Sequence, residues 1–150
     1  MQPEERSQPR VPLLIVDDDA PTREAMRIIL EDDAGYSVIE ASNGIDALVL
    51  LRESSAPLVV LLDVLMPQLG GEEVLRAVLR DRHLRRRHTF ILVSALAHLS
   101  RRLRLQRLLR ALGIEVLTKP FDIADLEQAV ARAQMRQSRR SFLGRWAARW

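Results

Sequence analysis

Five short apolar runs alternate with longer segments of helical period along this chain, and this alternation limits the folds that it can adopt. The runs are Val11 to Val16, Tyr36 to Ala41, Leu58 to Leu62, Phe90 to Val93 and Val116 to Thr118. The third and fourth runs, LVVLL and FILV, are apolar without alternation, which is typical of strands buried on both faces. The pattern predicts an α/β fold in which a doubly wound, five-stranded parallel sheet has helices on both faces.

The segments between and after these strands each place apolar residues on one face of a helix. The residues are Ala25, Met26, Ile29 and Leu30; Ile45, Leu48 and Val49; Val74, Leu75, Val78 and Leu79; Leu105, Leu108, Leu109 and Leu112; and Ile123, Leu126 and Val130. Asp19 is a predicted N-cap before Pro21, Asn43-Gly44 opens the second helix, and Gly113 closes the fourth. We therefore expect five helices.

A chain of 150 residues, 47% of them hydrophobic, is long enough for one buried core and too short for a second ordinary domain. We expect a flexible N-terminal arm at 1–10, a domain at 11–135 and a basic, aromatic C-terminal tail at 136–150. The absence of cysteine excludes disulfides and thiolate metal sites. The first ten residues do not resemble a secretory signal, and no apolar run approaches the roughly 20 residues that cross a bilayer. We expect a cytoplasmic protein.

Polar residues follow the predicted strands, at the ends where a parallel sheet gathers its ligand-binding residues. Asp17 and Asp18 follow the first strand, Asp63 the third, Ser94 the fourth and Lys119 the fifth. Three neighbouring carboxylates repel one another unless one is protonated or a cation lies between them, and oxygen ligands favour Mg²⁺ or Mn²⁺. A carboxylate can also attack phosphorus while the cation, an ammonium and a hydroxyl each cover one phosphoryl oxygen. These residues predict a phosphoryl-acceptor site.

Four motifs in this order resemble the receiver domain of two-component response regulators, of a chemotaxis-regulator-like kind. They are IVDDD at 15–19, LLDVLMP at 61–67, VSA at 93–95 and TKPF at 118–121. The resemblance covers about residues 11–135 and implies a flavodoxin-like sheet of strand order 2-1-3-4-5. It also implies that Asp17, Asp18, Asp63 and the backbone carbonyl of Leu65 bind the metal.

The same resemblance implies the roles in phosphotransfer. Asp63 would be phosphorylated by a sensor histidine kinase or a phosphotransfer protein, and Ser94 and Lys119 would contact the phosphoryl group. The protein would then signal through contacts with a downstream protein, and it would not be an enzyme beyond self-phosphotransfer and slow autodephosphorylation. No output domain, kinase-type glycine loop or Walker sequence is visible, so we expect a single-domain regulator whose donor is another protein.

Some positions depart from the family pattern. Val116 stands where an aromatic residue usually precedes the lysine by three positions, so output would pass through backbone shifts or the fourth helix. Gly70 stands where the family often has aspartate, which favours a more mobile loop after Asp63. Leu65 and Leu96 flank the site and cannot orient an attacking water, so we expect slow autodephosphorylation.

Two other functions remain open. A phosphohydrolase of the haloacid-dehalogenase type would use Asp17 as its nucleophile and Asp19 as the second acid of a DxD motif, although the later acidic pair and a cap domain are missing. A pseudo-receiver that serves only as a scaffold is disfavoured because every phosphorylation residue is present. The aspartate that a phosphoryl donor labels distinguishes the first two functions: Asp63 in a receiver and Asp17 in the phosphohydrolase.

Arginine supplies nearly all of the positive charge, and Lys119 is the one lysine among 23 basic residues, which favours a chemical role for it. No aromatic platform or recognition motif accompanies the arginine clusters, so we expect solvated faces and no direct DNA binding. Arginines of the fourth helix could also pair with Glu115, Asp125 or Glu127 of a second copy, in a homodimer formed by that helix, the fifth strand and the fifth helix. We expect no metal role for the three histidines.

The C-terminal tail ends in RRSFLGRWAARW, which spaces Phe142, Trp146 and Trp150 four residues apart. In a helix these aromatic residues form one apolar stripe among arginines, and such a helix could lie on a membrane surface or dock in a groove of a partner. We favour the plainer interpretation, a frayed extension of the last helix.

Overall fold

The computed structural model describes residues 9–149. Its five strands are β1 (Leu13–Val16), β2 (Val38–Ala41), β3 (Val59–Asp63), β4 (Thr89–Ala95) and β5 (Glu115–Lys119). They form one parallel sheet in the order β2-β1-β3-β4-β5, which confirms the predicted fold class and strand order. Each strand begins and ends within two residues of the apolar run that predicted it.

Seven α-helices connect and cover the strands. They are α1 (Ala20–Arg27), α2 (Gly44–Glu53), α3 (Gly71–Arg80), α4 (Arg82–Arg87), α5 (Leu96–Ser100), α6 (Leu103–Leu112) and α7 (Ile123–Ala147), and α1 continues as a π-helix, Ile28–Asp33. The five predicted helices are present as α1, α2, α3, α6 and α7, and the short helices α4 and α5 were not predicted. Asp19 and Asn43 cap α1 and α2 through their side chains, and Gly113 ends α6 in the left-handed conformation with φ 63°.

The sheet divides the interior into two apolar layers. Leu14 and Val16 of β1 point into the layer formed with α2, α3 and α6, whereas Leu13 and Ile15 point into the layer formed with α1 and α7. All residues of β1 and β3 are buried, as the unbroken apolar runs predicted. The predicted apolar face of α2 was partly wrong: Ile45 and Val49 are exposed, and the helix buries Gly44, Ala47, Leu48 and Leu51 instead.

The predicted domain boundaries, at residues 10 and 135, stay predictions at both ends of the chain. The N-terminal arm, 1–10, lies outside the described residues except for Pro9 and Arg10, and the Arg10 guanidinium stacks 4.7 Å from the ring centroid of Tyr36. The predicted boundary between domain and tail falls inside α7, which is continuous from Ile123 to Ala147. No glycine or proline interrupts this helix before Gly144, and the side chain of Gln137 is buried. The tail up to Ala147 is therefore an extension of the last helix, as predicted, whereas Trp150 is not described.

A buried polar cluster, formed by His88, Thr89 and Gln137, lies at the amino-terminal edge of the sheet. The His88 Nδ1 accepts a hydrogen bond from the backbone N–H of Leu58 (3.1 Å), and its Nε2 lies 3.0 Å from the carbonyl of Leu51, so the proton is on Nε2. Thr89 donates its hydroxyl hydrogen to Gln137 Oε1 at 2.6 Å. The cluster joins α2, β3, β4 and α7. Within residues 9–149, no helix is apolar over enough length to span a membrane.

Candidate functional site

Three acidic side chains meet at the carboxyl-terminal edge of the sheet. The pairing of Val16 with Leu62 sets β1 beside β3, so Asp17 and Asp63, which follow these residues, lie side by side. One carboxylate oxygen from each of Asp17, Asp18 and Asp63 lies within 4.8 Å of the others. This is the one such group of three or more potential metal ligands among the residues that the structure describes.

Asp17 is the most buried member of the acidic cluster, with 1% of its surface exposed. Its Oδ1 accepts a hydrogen bond from the backbone N–H of Asp19 (2.8 Å), whereas its Oδ2 is buried and has no hydrogen-bond donor within residues 9–149. Burial raises the pKa of Asp17. Burial, followed by the charge of Asp17, raises the pKa of Asp63 as well. The cluster therefore holds more negative charge than the surrounding protein neutralises.

A divalent cation fits these residues. The donor set consists of oxygens alone, and the Asp17 Oδ2 atom is buried without a proton donor, which is the situation that a hard cation relieves. Mg²⁺ and Mn²⁺ accept such a partial set of ligands and fill their other positions with water. The acidic cluster is thus suited to the predicted metal.

Lys119, at the end of β5, brings the one lysine of the chain to the same place. Its Nζ lies 3.7 Å from Asp63 Oδ1 and 3.9 Å from Asp17 Oδ2. These separations are longer than a hydrogen bond, so the ammonium faces both carboxylates without being fixed to either. About a third of the Lys119 side chain is exposed (34%), which leaves it accessible to an incoming anion.

Ser94 lies on β4, the strand beside Asp63, and its residue surface is buried. Because Asp63 pairs with Val93, Ser94 is one residue further toward the carboxyl edge. Its hydroxyl donates to the carbonyl of Ala95 at 3.3 Å. The structure therefore brings Asp17, Asp18, Asp63 and Lys119 together and places Ser94 next to them, turned toward its own strand.

The loop after Asp63 is shaped by the glycines that begin α3. The N–H of Gly71 donates to the carbonyl of Val64 (3.0 Å), and a Cβ on Gly71 would lie 2.3 Å from the Asp63 carbonyl oxygen. Gly70 has an ordinary φ of −81°, and a Cβ there would lie 2.9 Å from the Val64 oxygen. Close backbone packing thus explains both glycines, and the greater mobility expected from Gly70 stays a prediction.

Two apolar side chains border the acidic cluster. Leu65 is 43% exposed and Leu96 is 66% exposed, so both face solvent at the rim. One polar neighbour of the acidic cluster, Arg23, was not predicted: its Nη1 donates to the Asp17 carbonyl at 2.7 Å, and its Nε pairs with Glu40 at 3.1 Å. Arg23 lies one turn into α1, and its hydrogen bond stabilises the backbone that carries Asp17 and Asp18. Only its spacing from Asp17 could have indicated this contact.

Comparisons with known proteins agree with the geometry. A family model described as "Response regulator receiver domain" matches residues 13–131. An uncharacterized 14.6 kDa protein of Leptolyngbya boryana is 36% identical over 118 residues, which are 79% of this chain and 86% of that protein. A protein-glutamate methylesterase/protein-glutamine glutaminase of Rhodospirillum rubrum is 33% identical over 139 residues, but the match covers 84% of this chain and 36% of that protein. Several relatives are thus much longer than this chain.

Solved structures show the same fold. A CheY-like receiver domain protein from Methanospirillum hungatei has a TM-score of 0.64 at 33% identity, covering 81% of this chain and 92% of its own. The chemotaxis protein CheY4 of Vibrio cholerae has a TM-score of 0.69 at 25% identity, covering 83% and 99%. These similarities favour the receiver over the dehalogenase-type hydrolase that the sequence left open.

Proposed function

The chain belongs to the response regulator receiver domain family, and we propose that Asp63 accepts a phosphoryl group. The donor in this proposal is the phosphohistidine of a sensor histidine kinase or phosphotransfer protein. The observation that carries this proposal is the position of Lys119 Nζ, 3.7 Å from Asp63 and 3.9 Å from Asp17. A structural ion pair would close to hydrogen-bond distance, whereas an ammonium that faces two carboxylates is placed for a third anion.

The reaction exchanges one phosphorus bond for another. An Asp63 carboxylate oxygen attacks the phosphorus, the phosphorus–nitrogen bond of the donor breaks, and the imidazole leaves with the electron pair and takes up a proton. The product is an acyl phosphate on Asp63. Lys119 offsets the negative charge of one phosphoryl oxygen, and Ser94 can donate to another after rotating its hydroxyl away from Ala95. Mg²⁺ held by Asp17, Asp18, Asp63 and the Leu65 carbonyl would supply further charge neutralisation.

In this proposal the protein is a phosphoacceptor in the cytoplasm and not an enzyme that turns over external substrates. It signals through contacts with a downstream protein. Val116 stands where the family usually has an aromatic residue, and it is partly buried in the apolar layer that α6 also lines. Phosphorylation therefore changes the surface that a partner contacts through shifts of the backbone of β4 and α6. Hydrolysis of the acyl phosphate is slow, since the exposed neighbours Leu65 and Leu96 are apolar and cannot orient water.

The predicted homodimer would need acidic residues that already have partners within the chain. Glu115 accepts from Arg132 Nε (2.8 Å) and Arg136 Nη1 (2.8 Å), and Asp125 takes part in the capping box that begins α7. A dimer through α6, β5 and α7 would therefore use Glu127 or exchange these internal ion pairs for intermolecular ones. The homodimer stays a prediction, which a measurement of the molar mass of the phosphorylated protein in solution can test.

The test of the phosphoacceptor proposal is direct labelling. The protein is incubated with acetyl phosphate or phosphoramidate and Mg²⁺, and intact mass and peptide mapping locate any added phosphoryl group. We expect one group on Asp63, none in Asp63→Asn, none after chelation of Mg²⁺, and unchanged labelling in the matched control Asp32→Asn, an exposed aspartate remote from the site. Labelling of Asp17, or persistent labelling of Asp63→Asn, would refute the proposal.

A further inference from the structure

Helix α7 is fixed to the body of the protein along one side as far as Arg140, five residues beyond the predicted end of the domain. Gln137 is 1% exposed and holds Thr89 at 2.6 Å. Arg140 Nη1 donates to the carbonyl of His88 at 3.1 Å. The rotation of the helix about its axis is therefore set, and so is the direction in which its other side points.

The side of α7 opposite Gln137 is apolar and exposed. Met135, Phe142, Leu143 and Trp146, which we call the tail stripe, are 59%, 63%, 63% and 60% exposed. At about 100° per residue, Met135, Phe142 and Trp146 point roughly 140 to 180° away from Gln137. The tail stripe is thus turned away from the core layers, and the core cannot account for its apolar side chains.

Positive charge surrounds the tail stripe. After Glu127 the chain has six arginines and no acidic residue. Arg139 lies within the tail stripe, Arg145 and Arg149 border it, and each is exposed. An occupant of this face must therefore be anionic and must also accept apolar side chains.

We propose that the tail stripe binds the surface of a membrane that contains anionic lipids, with α7 lying parallel to the bilayer plane. The apolar side chains enter the boundary between head groups and acyl chains, while the flexible arginine side chains reach the lipid phosphates. A second copy would bring two such arginine clusters together. A nucleic acid would engage the arginines and leave Leu143 and Met135 in water. Both are therefore worse occupants than a lipid surface.

Intrinsic fluorescence can report binding, because both tryptophans of the chain, Trp146 and Trp150, lie in this helix or just after it. The full chain is titrated with vesicles of phosphatidylglycerol and phosphatidylcholine in equal parts and with vesicles of phosphatidylcholine alone. Sedimentation gives the bound fraction. We expect a blue shift and at least tenfold stronger partitioning with the anionic vesicles.

Charge and apolar contacts are then removed separately. Changing Arg139, Arg145 and Arg149 to Gln should weaken partitioning on the order of a hundredfold, since each arginine near an anionic surface contributes about fivefold. Changing them to Lys should preserve it. Phe142→Ser with Leu143→Ser should abolish the blue shift without affecting the folded circular dichroism spectrum, because both side chains are exposed.

The matched control changes Arg101, Arg104 and Arg107 of the α5–α6 region to Gln, which removes the same charge from another exposed face. Vesicle binding should be close to that of the wild type. The proposal would be overturned if this control weakened vesicle binding as much as the tail variants do, or if the wild type bound both kinds of vesicle equally. Tight binding of an oligonucleotide that Phe142→Ser leaves unchanged would also overturn it.

Discussion

Replacing Gly71 with alanine tests whether close backbone packing positions Asp63 at the end of β3. The new Cβ would lie 2.3 Å from the Asp63 carbonyl oxygen and 3.0 Å from the Val64 Cα. An ordinary carbon–oxygen contact is about 3.3 to 3.6 Å. The start of α3 must therefore move away from β3 by roughly 1 Å, which also breaks or lengthens the hydrogen bond from Gly71 N–H to Val64 O.

The cost follows from the nature of the clash. Overpacking of a closely packed site costs about 1 to 3 kcal/mol, and the upper end applies because the opposing atoms belong to the backbone and cannot rotate away. About 3 kcal/mol is a large part of the 5 to 15 kcal/mol that stabilises a typical domain. For a chain of this size it lowers the thermal midpoint by about 6 to 12 °C. The displaced Asp63 should also accept phosphate more slowly.

Gly144→Ala is the matched control, because it makes the same chemical change in a helix where a Cβ meets nothing within 4 Å. It should not lower stability, since Gly144 lies in the last turn of α7 and alanine is a better helix former than glycine. Thermal and urea denaturation followed by circular dichroism measure the stability of both variants, and labelling with acetyl phosphate measures phosphoryl transfer to Asp63. A Gly71→Ala midpoint equal to that of the wild type would refute the packing argument, as would an equal loss in Gly144→Ala.

The other predictions concern buried and bordering side chains. Burial lowers the pKa of His88, so the folded protein takes up a proton there less readily than the unfolded chain does. The free energy of unfolding should therefore fall as the pH drops below about 6.5, by at most ~1.4 kcal/mol per pH unit. This dependence of stability on pH should weaken in His88→Gln but not in the exposed control His98→Gln. Gln137→Met should cost about 1 to 3 kcal/mol in urea denaturation because the buried Thr89 hydroxyl loses its acceptor, and adding Thr89→Val should recover most of the loss. Leu65→Asn should speed loss of phosphate from labelled protein by about tenfold, below the 10²–10⁴ of a full general base; an unchanged decay rate would show that the apolar rim does not limit hydrolysis.

The strands and the acidic cluster were predictable because their signals are local. An apolar run followed by a polar residue marks both a buried strand and the edge at which it ends, and the strand order follows from family resemblance. The sequence therefore predicts that Asp17, Asp63 and Lys119 lie at the carboxyl-terminal edge of the sheet. Caps such as Asp19 and Asn43 were equally visible, since their partners lie three residues away.

Features that depend on distant partners were not predictable. His88 stands among arginines and resembles a surface residue, yet it is buried because Leu58 and Leu51, 30 and 37 residues earlier, offer it backbone groups. Gln137 is buried through Thr89, 48 residues away. The orientation of α2 was ambiguous for a different reason: a helix that is apolar nearly all round does not reveal which face it buries.

Polarity does not encode the register of the two central strands, because every residue of Leu13–Val16 and Val59–Asp63 is buried. A shift of the β1–β3 register by one residue would leave the interior equally apolar while moving Asp18 to the level of Asp63. Substitutions among Val, Ile and Leu in these strands should therefore be tolerated. A single codon gained or lost just ahead of either aspartate would separate Asp17 from Asp63 without adding one polar atom to the core.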